Sequence, residues 1–560
     1  MSRPDWIVLV LTLLAMIAYG LYKGRTTRNL DGYFLANRSV PWYMVLLGIM
    51  GTQASAVTFL SAPGQAYTDG MRFVQYYFGL PLAMVVLCIT FVPVFHRLKV
   101  YTAYEFLEQR FDLKTRTLTS FLFLLQRGLS TGISISAPSI ILSSILGWDI
   151  VWTNIFMGGL LIIYTVTGGA KAVAYTQQLQ LIIIFTGMFI AGYMVIHQLP
   201  AGVGLTEALH IGGKAGKLNI ITTGINEKGF DWNDRYNLFS GIIGGFFLAL
   251  SYFGTDQSQV GRYLTARSMG ESRLGLLMNG LVKVPMQFLI LLLGVLVFTF
   301  YQFNREPVFF NKSQVDLLEK SKYKDSLVQL EKAYEATEDL RIHTAAPTEA
   351  QVQEILKTKA GYRTTIKRWL NDKDVGGEDN DTNYIFLRFV MDYLPKGLIG
   401  LLIAVIFLAA WGSIAATLNS LSSCTIVDFH KRFSRPLTEE KEFRLSRIYT
   451  FFWGVFCVAV AQLAYNLGNS LIEAVNVLGS LFYGVILGIF LVAFYRKKVG
   501  GTAVFISAVI TEAGVIVLNI LSRKGIVSLS FLWFNVVGAI GVILISEVLQ
   551  LLIKNNNKAA

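Results

Sequence analysis

The chain has 560 residues, of which 53% are hydrophobic and only 15% are charged, and its formal net charge is +13. This composition excludes an ordinary soluble domain and indicates a protein that crosses a lipid bilayer many times. The excess of 49 Lys and Arg over 36 Asp and Glu does not indicate nucleic-acid binding. The basic residues fall in short loops between apolar runs, as they do on the cytoplasmic side of membrane proteins.

Runs of roughly 20 apolar residues, each long enough to cross a bilayer as a helix, recur along the whole chain. We therefore predict an all-α polytopic membrane protein with about 13 transmembrane helices. The predicted spans are 5–22, 40–68, 73–95, 118–145, 149–167, 172–196, 237–260, 275–303, 384–428, 444–465, 470–495, 501–521 and 529–553. The run 384–428 exceeds one crossing, so its start, which contains Asp392 and Pro395, is predicted to lie at the membrane interface.

Basic residues concentrate in alternate loops between these spans. The basic loops are predicted to lie in the cytoplasm, because membrane proteins accumulate Lys and Arg on that side. They contain Lys23, Arg25, Arg28, Arg38, His96, Arg97, Lys99, Arg110, Lys114, Arg116, Arg262, Arg267, Arg273, Lys431, Arg432, Arg435, Arg444, Arg496, Lys497 and Lys498. The loops 69–72 and 466–469 carry at most one basic residue each, although 522–528 contains Arg523 and Lys524. An odd number of spans in the plasma (inner) membrane then places the N-terminus outside and the C-terminus in the cytoplasm.

The spans group into larger units along the chain. We predict a first transmembrane helix and cytoplasmic loop at 1–39, a first repeat of about five helices at 40–196, an extracytoplasmic loop at 197–236, a second such repeat at 237–495, and two further transmembrane helices with a cytoplasmic tail at 496–560. The second repeat contains a polar insert, 304–382, whose Leu and Val residues have helical spacing. This extracytoplasmic insert caps the outer face, binds a partner, or is simply tolerated. We favour the third alternative, an insertion without a function of its own, because surface insertions cost little free energy.

One predicted span contains residues that a simple lipid-spanning helix would not need. Met44–Gly70 contains Gly48, Gly51, a polar run over 52–58 and the dipeptide Pro63–Gly64, which is predicted to break the helix. A break frees backbone N–H and C=O groups, which must be satisfied inside the bilayer. A broken helix at that depth is typical of a segment that lines an ion or solute site. The alternative is that glycine and small polar residues pack closely against a neighbouring helix.

The segment Phe239–Tyr263 repeats this pattern. Glycines at 241, 244, 245 and 254 precede a polar run, Thr255–Gln259. Each interrupted segment opens a series of about five spans, so the second series enters the membrane from the opposite side. Two inverted halves, each led by an interrupted helix, predict a binding site near the bilayer midplane. The alternative is that packing glycines occur at both places by chance.

Several motifs in this order resemble one transporter family, the sodium/solute symporters, which includes the sodium/glucose, iodide, monocarboxylate and multivitamin cotransporters. The motifs are SAVTFLSAPGQAY (55–67), TAYEFLEQRF (102–111), TGGAKAVAYTQQLQ (167–180), YFGTDQSQVGRYLTARS (252–268) and ATLNSLSSCTIVDFH (416–430). The second span is more similar to the iodide and monocarboxylate branch than to the sugar branch. The resemblance implies a leucine-transporter type fold, with spans two to eleven forming the inverted repeat, and alternating access driven by a sodium gradient.

The resemblance also implies where sodium binds. Aligned by its motifs, the family's sodium site falls on the backbone carbonyls of Gly51, Ala54 and Ala409 and on the side chains of residues 412 and 413, here Gly412 and Ser413. Na⁺ is a hard cation that prefers oxygen ligands, which unwound backbone and hydroxyl groups supply. We therefore expect Na⁺ as the coupling ion and no organic cofactor.

Several positions depart from the family pattern at this site. Gly412 has no side-chain oxygen, and Gln177 is a neutral amide where family members commonly have Asp. Ala415 and Ala416 replace hydroxyls that would hold an additional sodium, so a second sodium is not expected there. Water or a nearby polar side chain can replace a lost ligand. Another coupling cation, or none, remains open.

We predict that a solute binds between the two interrupted segments. The predicted contacts are Gln53, Thr58, Gln75, Tyr252, Asp256, Gln257 and Gln259. Asp256 is ionisable, and ionisable groups at membrane depth are typically functional; its alternative role is a helix cap near Arg262. Lys283 and Arg127 are further charges in apolar spans. Each either meets an anionic solute or extends to the membrane interface, and Lys283 has the further option of pairing with Asp256.

These features favour a secondary active transporter that brings a small organic solute, a sugar or an organic anion, into the cell together with sodium. The alternative is a cation-independent facilitator or a transporter-like solute sensor. An enzyme is not predicted, because the chain has no nucleophile elbow, metal-ligand cluster or phosphate loop. The expected partners are the solute and the lipid bilayer, without nucleic acid, and the sequence names no protein partner.

Overall fold

The computed structural model describes residues 1–24, 30–343, 348–434, 438–464 and 471–559, nearly all of them helical. Outside the described residues lie Arg25, Arg28, Arg435 and the predicted loop 466–469, together with the side chains of Lys23 and of residues 167–172. The helices are α1 Arg3–Gly24, α2 Leu30–Leu35, α3 Trp42–Gln53, α4 Ala56–Asp69, α5 Leu80–Ile89, α6 Phe91–Leu98, α7 Glu105–Arg110, α8 Leu113–Leu146, α9 Ile150–His197, α10 Leu205–Lys214, α11 Gly245–Thr255, α12 Gln257–Leu264, α13 Met269–Phe303, α14 Lys312–Glu319, α15 Lys324–His343, α16 Glu349–Leu370, α17 Ile385–Tyr393, α18 Leu398–Cys424, α19 Lys431–Phe433, α20 Glu439–Ala464, α21 Leu471–Tyr495, α22 Gly501–Arg523 and α23 Phe531–Ala559. A short hairpin pairs β1 Ile225–Asn226 with β2 Gly229–Phe230.

The number of membrane-crossing helices can be compared with the predicted spans. Within the described residues, ten helices are long and apolar enough to cross a membrane, and the bent pair α3 and α4 would make an eleventh. Two shorter apolar helices, Ile150–Val166 and Ser240–Thr255, lie where two further spans were predicted. The total of about thirteen therefore stays a prediction.

Helix α18 lies at the centre of the bundle. Its residues from Leu402 to Cys424 are all buried, and it packs against α1, α3, α8 and α9. Its buried residues include the polar Ser413, Thr417 and Ser420, and such small polar residues are typical of the interfaces between helices inside a membrane. By contrast, α22 and α23 expose apolar side chains such as Val517 and Val548, as expected of helices that face lipid.

The first predicted interruption is present, but not at the predicted residues. Helix α3 ends at Gln53 and α4 begins at Ala56, with a bend of 62° between them. The intervening Ser55 has an extended backbone, with φ of −86° and ψ of 171°. The prediction that Pro63–Gly64 breaks the helix is wrong, since both residues lie inside α4. Gly64 instead allows close packing: a Cβ there would lie 2.0 Å from the carbonyl oxygen of Thr382.

The second segment is interrupted at Asp256. Helix α11 ends at Thr255 and α12 begins at Gln257, while Asp256 has an extended backbone and its side chain caps α12. The glycines earlier in the segment have a different use. A Cβ at Gly241 would lie 2.1 Å from the carbonyl oxygen of Gln75, so this glycine permits close packing and does not break the helix. The packing alternative therefore holds for this glycine, and the interruption lies in the polar run.

The insert is a folded helical body. Helices α14, α15 and α16 enclose a small apolar cluster that includes Leu318, Leu327, Ile366 and Leu370. Beside it lies a buried ionic cluster of Glu306, Glu338, Arg341, Lys359, Arg363 and Asp381. The end of the insert packs on α4, because Thr382 lies against Gly64, and Ser61 of α4 donates a hydrogen bond of 2.6 Å to Oδ1 of Asn383, the residue that follows the insert.

Gly294→Ala is expected to destabilise the protein by about 1–3 kcal/mol, the usual effect of overpacking. A Cβ at Gly294 in α13 would lie 2.1 Å from the carbonyl oxygen of Pro63 in α4, and backbone cannot move aside as a side chain can. Thermal unfolding of the detergent-solubilised protein measures the effect. Gly192→Ala in α9 is the control, since a Cβ there meets nothing within 4 Å. Equal unfolding temperatures for the two variants would contradict the close contact between α13 and α4.

Candidate functional site

An internal cavity lies beside the break between α3 and α4. It has a volume of about 130 Å³, which is room for roughly ten water molecules or one small solute. Helices α3, α4, α8, α11, α18 and α21 surround it, together with the 3₁₀ turn at Met71–Tyr77. The two interrupted segments thus meet at one cavity, as expected.

Three of the predicted solute contacts line this cavity. They are Gln53 beside the first break, Thr58 in α4 and Tyr252 in α11. Tyr252 is fixed from behind, since Gln259 Nε2 donates a 2.6 Å hydrogen bond to its hydroxyl oxygen. Gln259 therefore supports a lining residue without lining the cavity itself.

Gln75 and Gln257 also lie outside the lining of the cavity, which corrects their expected position. Gln75 Nε2 donates hydrogen bonds of 3.0 Å to Thr222 Oγ1 and to the carbonyl oxygen of Tyr236, so its amide anchors a loop. Gln257 is used in the same way. Its Oε1 accepts from the backbone N–H of Ala103 at 3.0 Å, and its Nε2 donates to the backbone at Tyr101.

Asp256 lies behind the cavity wall, where it meets side chains that line it. Tyr483 donates a 2.7 Å hydrogen bond to its Oδ2, and Arg127 Nε lies 3.3 Å from the same oxygen. Its Oδ1 accepts from the backbone N–H of Ser258 at 2.8 Å. Asp256 is therefore both a cap of α12 and the ionic partner of Arg127, and it does not pair with Arg262.

Arg127 gives the cavity its charge. It is the one charged side chain among the described residues that line the cavity, and 10% of the side chain is exposed. Its Nη2 donates to Ser258 Oγ at 3.0 Å, and its guanidinium lies 5.3 Å from the ring centre of Tyr252. Its Nη1 makes no hydrogen bond within the described part of the chain. A guanidinium held on one side, with a free donor on the other, suits a carboxylate.

Lys283 does not line the cavity but lies next to the ring of a residue that does. Its ammonium is 5.5 Å from the ring centre of Tyr77, which lines the cavity. The side chain is fully buried and has no hydrogen-bond partner among the described residues, so neither extension to the interface nor pairing with Asp256 occurs.

Sequence reasoning missed part of the lining. Ser130, Thr131 and Ser134 line the cavity from α8, one and two turns beyond Arg127, and Asn476 and Tyr483 line it from α21. The spacing 127, 130, 131, 134 is that of one helix face and is the signal that points to this group.

The predicted sodium-site residues converge on the same break. Ser413 lines the cavity, and its Oγ donates to the carbonyl oxygen of Ala409 at 3.0 Å. Gln177 of α9 connects α18 with α3, because its Nε2 donates to the carbonyl oxygen of Gly412 at 3.0 Å and to Thr52 Oγ1 at 3.2 Å. On the other side, a Cβ at Gly51 would lie 3.0 Å from the Cβ of Gln177. Ala54 is buried at the break itself.

A solved structure of a Na⁺-coupled sialic acid symporter, in a substrate-bound outward-open state, matches with a TM-score of 0.75 and 22% identity over 98% of each chain. This similarity shows the fold, which is of the leucine-transporter type, as predicted.

Several curated proteins are similar to this chain in sequence. A sodium/sialic acid symporter of Aliivibrio fischeri is 23% identical over 99% of this chain and 94% of its own length. The human sodium-coupled monocarboxylate transporter 1 is 26% identical over 87% of this chain and 68% of its own, and the human sodium/iodide cotransporter 24% identical over 88% and 66%. The family model for the sodium:solute symporters matches residues 33–314 and 362–510. The resemblance seen in the motifs is confirmed, and the chain belongs to the sodium:solute symporter family.

Proposed function

We propose that this sodium-coupled symporter carries an organic anion into the cell and that Arg127 holds the anionic group of the solute. The observation that carries the proposal is the charge of the cavity. Arg127 lines it, whereas no acidic side chain does so among the described residues. A cation in a low-dielectric cavity favours an anionic solute over a neutral one of the same shape.

The rest of the lining suits the polar body of such a solute. Gln53, Thr58, Ser134 and Asn476 offer amide and hydroxyl groups around a largely apolar wall. This mixture is typical of small-molecule sites, in which a few polar groups fix the orientation. The relatives described above support an anionic solute, since sialic acid and monocarboxylates carry a carboxylate and iodide is an anion.

The proposed orientation places the N-terminus and the insert outside and the C-terminus in the cytoplasm. Loops predicted to be cytoplasmic touch one another at one end of the bundle: Arg38 donates to the carbonyl oxygen of Val100, and Arg110 to that of Arg496. Such an accumulation of basic residues at one end supports that end as the cytoplasmic one. The repeats 40–196 and 237–495 are proposed to move against each other around the cavity.

The test is uptake into proteoliposomes. Radiolabelled sialic acid, a short monocarboxylate and a neutral hexose are supplied with an inward Na⁺ gradient and, separately, with choline in place of Na⁺. We expect at least one of the anions to be taken up with the Na⁺ gradient but not with choline. We expect no uptake of the hexose in either condition. Equal uptake in choline would support the facilitator, and uptake of the hexose alone would rule out the anion.

The sodium site is proposed to consist of the carbonyl oxygens of Gly51, Ala54 and Ala409 and the hydroxyl of Ser413, beside the backbone of Gly412. Hard oxygen ligands at an unwound segment suit Na⁺, and both conditions are met where α3 ends.

Ser413→Ala is expected to raise the Na⁺ concentration for half-maximal uptake about tenfold, because one oxygen ligand is lost. The measurement is initial uptake rate against Na⁺ concentration. Ser420→Ala is the matched control, since Ser420 also bonds back to its own helix and does not line the cavity. An unchanged Na⁺ dependence in Ser413→Ala would remove this hydroxyl from the site.

A further inference from the structure

Position 412 lacks the side-chain oxygen that the resemblance to the family implies for the sodium site, and two glutamines of α9 surround it. We propose that the side-chain amides of Gln177 and Gln180 belong to the sodium site and that the Gln180 oxygen replaces the oxygen missing at Gly412. The inference rests on the sodium site proposed above and adds two residues to it. It would also explain why the residue at 412 is glycine.

Gln180 occupies the space that a side chain at 412 would fill. A Cβ built on Gly412 would lie 2.5 Å from Oε1 of Gln180, closer than two such atoms can approach. An amide oxygen therefore lies where a larger residue would begin its side chain. This oxygen is neutral and polar, which is what a hard cation accepts as a ligand.

Gln177 closes the opposite side of the same position. Its Nε2 donates to the carbonyl oxygen of Gly412 and to Thr52 Oγ1, which ties α9 to α18 and α3. Its Oε1 is buried and has no hydrogen-bond partner within the described residues. A buried carbonyl oxygen without a partner is unfavourable unless a ligand supplies one.

Both amides come from one face of α9, because residues three apart lie one above the other on a helix. The family pattern uses a hydroxyl at 412 and an acid at 177, whereas this chain has glycine and an amide. The Gln180 oxygen on α9 lies where the hydroxyl on α18 is missing. A serine at 412 should therefore make the Gln180 oxygen dispensable.

The test is a double-mutant cycle on the full chain. The variants are Gln180→Met, which keeps the length of the side chain but removes its oxygen; Gly412→Ser, which returns a hydroxyl; and the two combined. The readout is the Na⁺-dependent rise in unfolding temperature in detergent at constant ionic strength, with K⁺ replacing Na⁺. Because a bound ligand stabilises the folded state by mass action, this readout needs no transport.

Gln180→Met is expected to raise the Na⁺ concentration for half-maximal stabilisation about tenfold or more. In the Gly412→Ser background the same change should alter it by no more than about twofold, since the serine hydroxyl then supplies the oxygen. Gln177→Met is expected to weaken Na⁺ binding as well. Gln178→Met is the matched control, because its side chain points about 100° away around the helix.

The outcomes separate this inference from the proposed function. A normal Na⁺ effect in the wild type that Gln180→Met leaves unchanged would overturn the role of Gln180 alone. Equal losses from Gln180→Met in both backgrounds would also overturn it, because the loss would then be structural. A wild type that Na⁺ does not stabilise would overturn the sodium site and this assignment together.

Discussion

The double variant Arg127→Met, Asp256→Asn is expected to raise the KM for the transported anion about a hundredfold or more. Loss of a charge-assisted contact in a desolvated site costs about 2–5 kcal/mol, and each 1.4 kcal/mol is about tenfold in affinity. Arg127 is the cation among the described lining residues, so nothing else there replaces its charge. Proteoliposome uptake at increasing anion concentration measures the effect.

Both residues are changed together because they form one buried ion pair. Arg127 Nε lies 3.3 Å from Oδ2 of Asp256, whose side chain is fully buried. Removal of the arginine alone would leave a buried carboxylate without its counter-charge, which is strongly destabilising. In the double variant, Oδ1 of an asparagine at 256 still accepts the hydrogen bond from the Ser258 backbone N–H, so the break before α12 stays capped, and its Nδ2 takes the place of Oδ2 and donates to the Tyr483 hydroxyl oxygen.

Two controls distinguish a binding role from a structural one. Arg72→Met, Asp234→Asn removes an ion pair of 3.0 Å outside the cavity, and its KM should equal that of the wild type. The uncharged amide of the same solute should bind weakly to the wild type and no more weakly to the Arg127 variant. If the amide loses affinity as much as the anion does, the variant has damaged the cavity; if the anion keeps its KM, Arg127 does not hold it.

The all-α membrane fold could be predicted because it depends on quantities that a sequence contains. A helix needs roughly 20 apolar residues to cross the bilayer, so hydropathy alone locates the spans. The first break was placed in the right segment by its glycines and polar run. Its residues were misassigned because Pro63 and Gly64 look like a helix breaker. Only contacts with Gly294 and Thr382, which are remote in sequence, show that they serve packing inside α4.

Only those residues of the candidate site that lie close to the interruptions in sequence could be predicted. Gln53 and Tyr252 lie next to the interruptions and line the cavity. Gln75 is as polar as they are, but its amide is taken by Thr222 and Tyr236. Which face of a helix meets which loop depends on packing between distant segments, and many packings bury the same apolar residues. For that reason the pairing of Arg127 with Asp256 could not be read from periodicity.

Lys359→Met is expected to destabilise the insert by about 3–5 kcal/mol, the effect of removing one partner from a buried ionic cluster. The Lys359 ammonium contacts carboxylates of both Glu306 and Glu338, the second at 2.9 Å, and all three side chains are at most 5% exposed. Arg341 stays paired with Glu338, and Arg363 lies 3.6 Å from Glu306, but neither takes the place of the lysine.

The pKa of Glu306 determines how the stability of the insert changes with pH. Burial raises the pKa of Glu306, but the Lys359 and Arg363 cations lower it more, so the pKa lies below its usual range. A carboxyl with a depressed folded-state pKa contributes stability above its unfolded value of about 4.3, and the contribution is lost as the pH falls through the folded value. In Lys359→Met the largest lowering influence is gone, so the loss on acidification should begin at a higher pH.

Hydrogen–deuterium exchange of the full-length protein measures both effects, because it reports local opening segment by segment. Peptides from α15 and α16 should exchange faster in Lys359→Met than in the wild type, and the difference should be seen at neutral pH. Peptides from α18, which is buried in the bundle, should be unchanged. Lys357→Met is the matched control, since this lysine lies on the same helix but is exposed. Equal exchange in the two variants would mean that the buried cluster contributes nothing and that apolar packing around Leu318 and Ile366 alone holds the insert together.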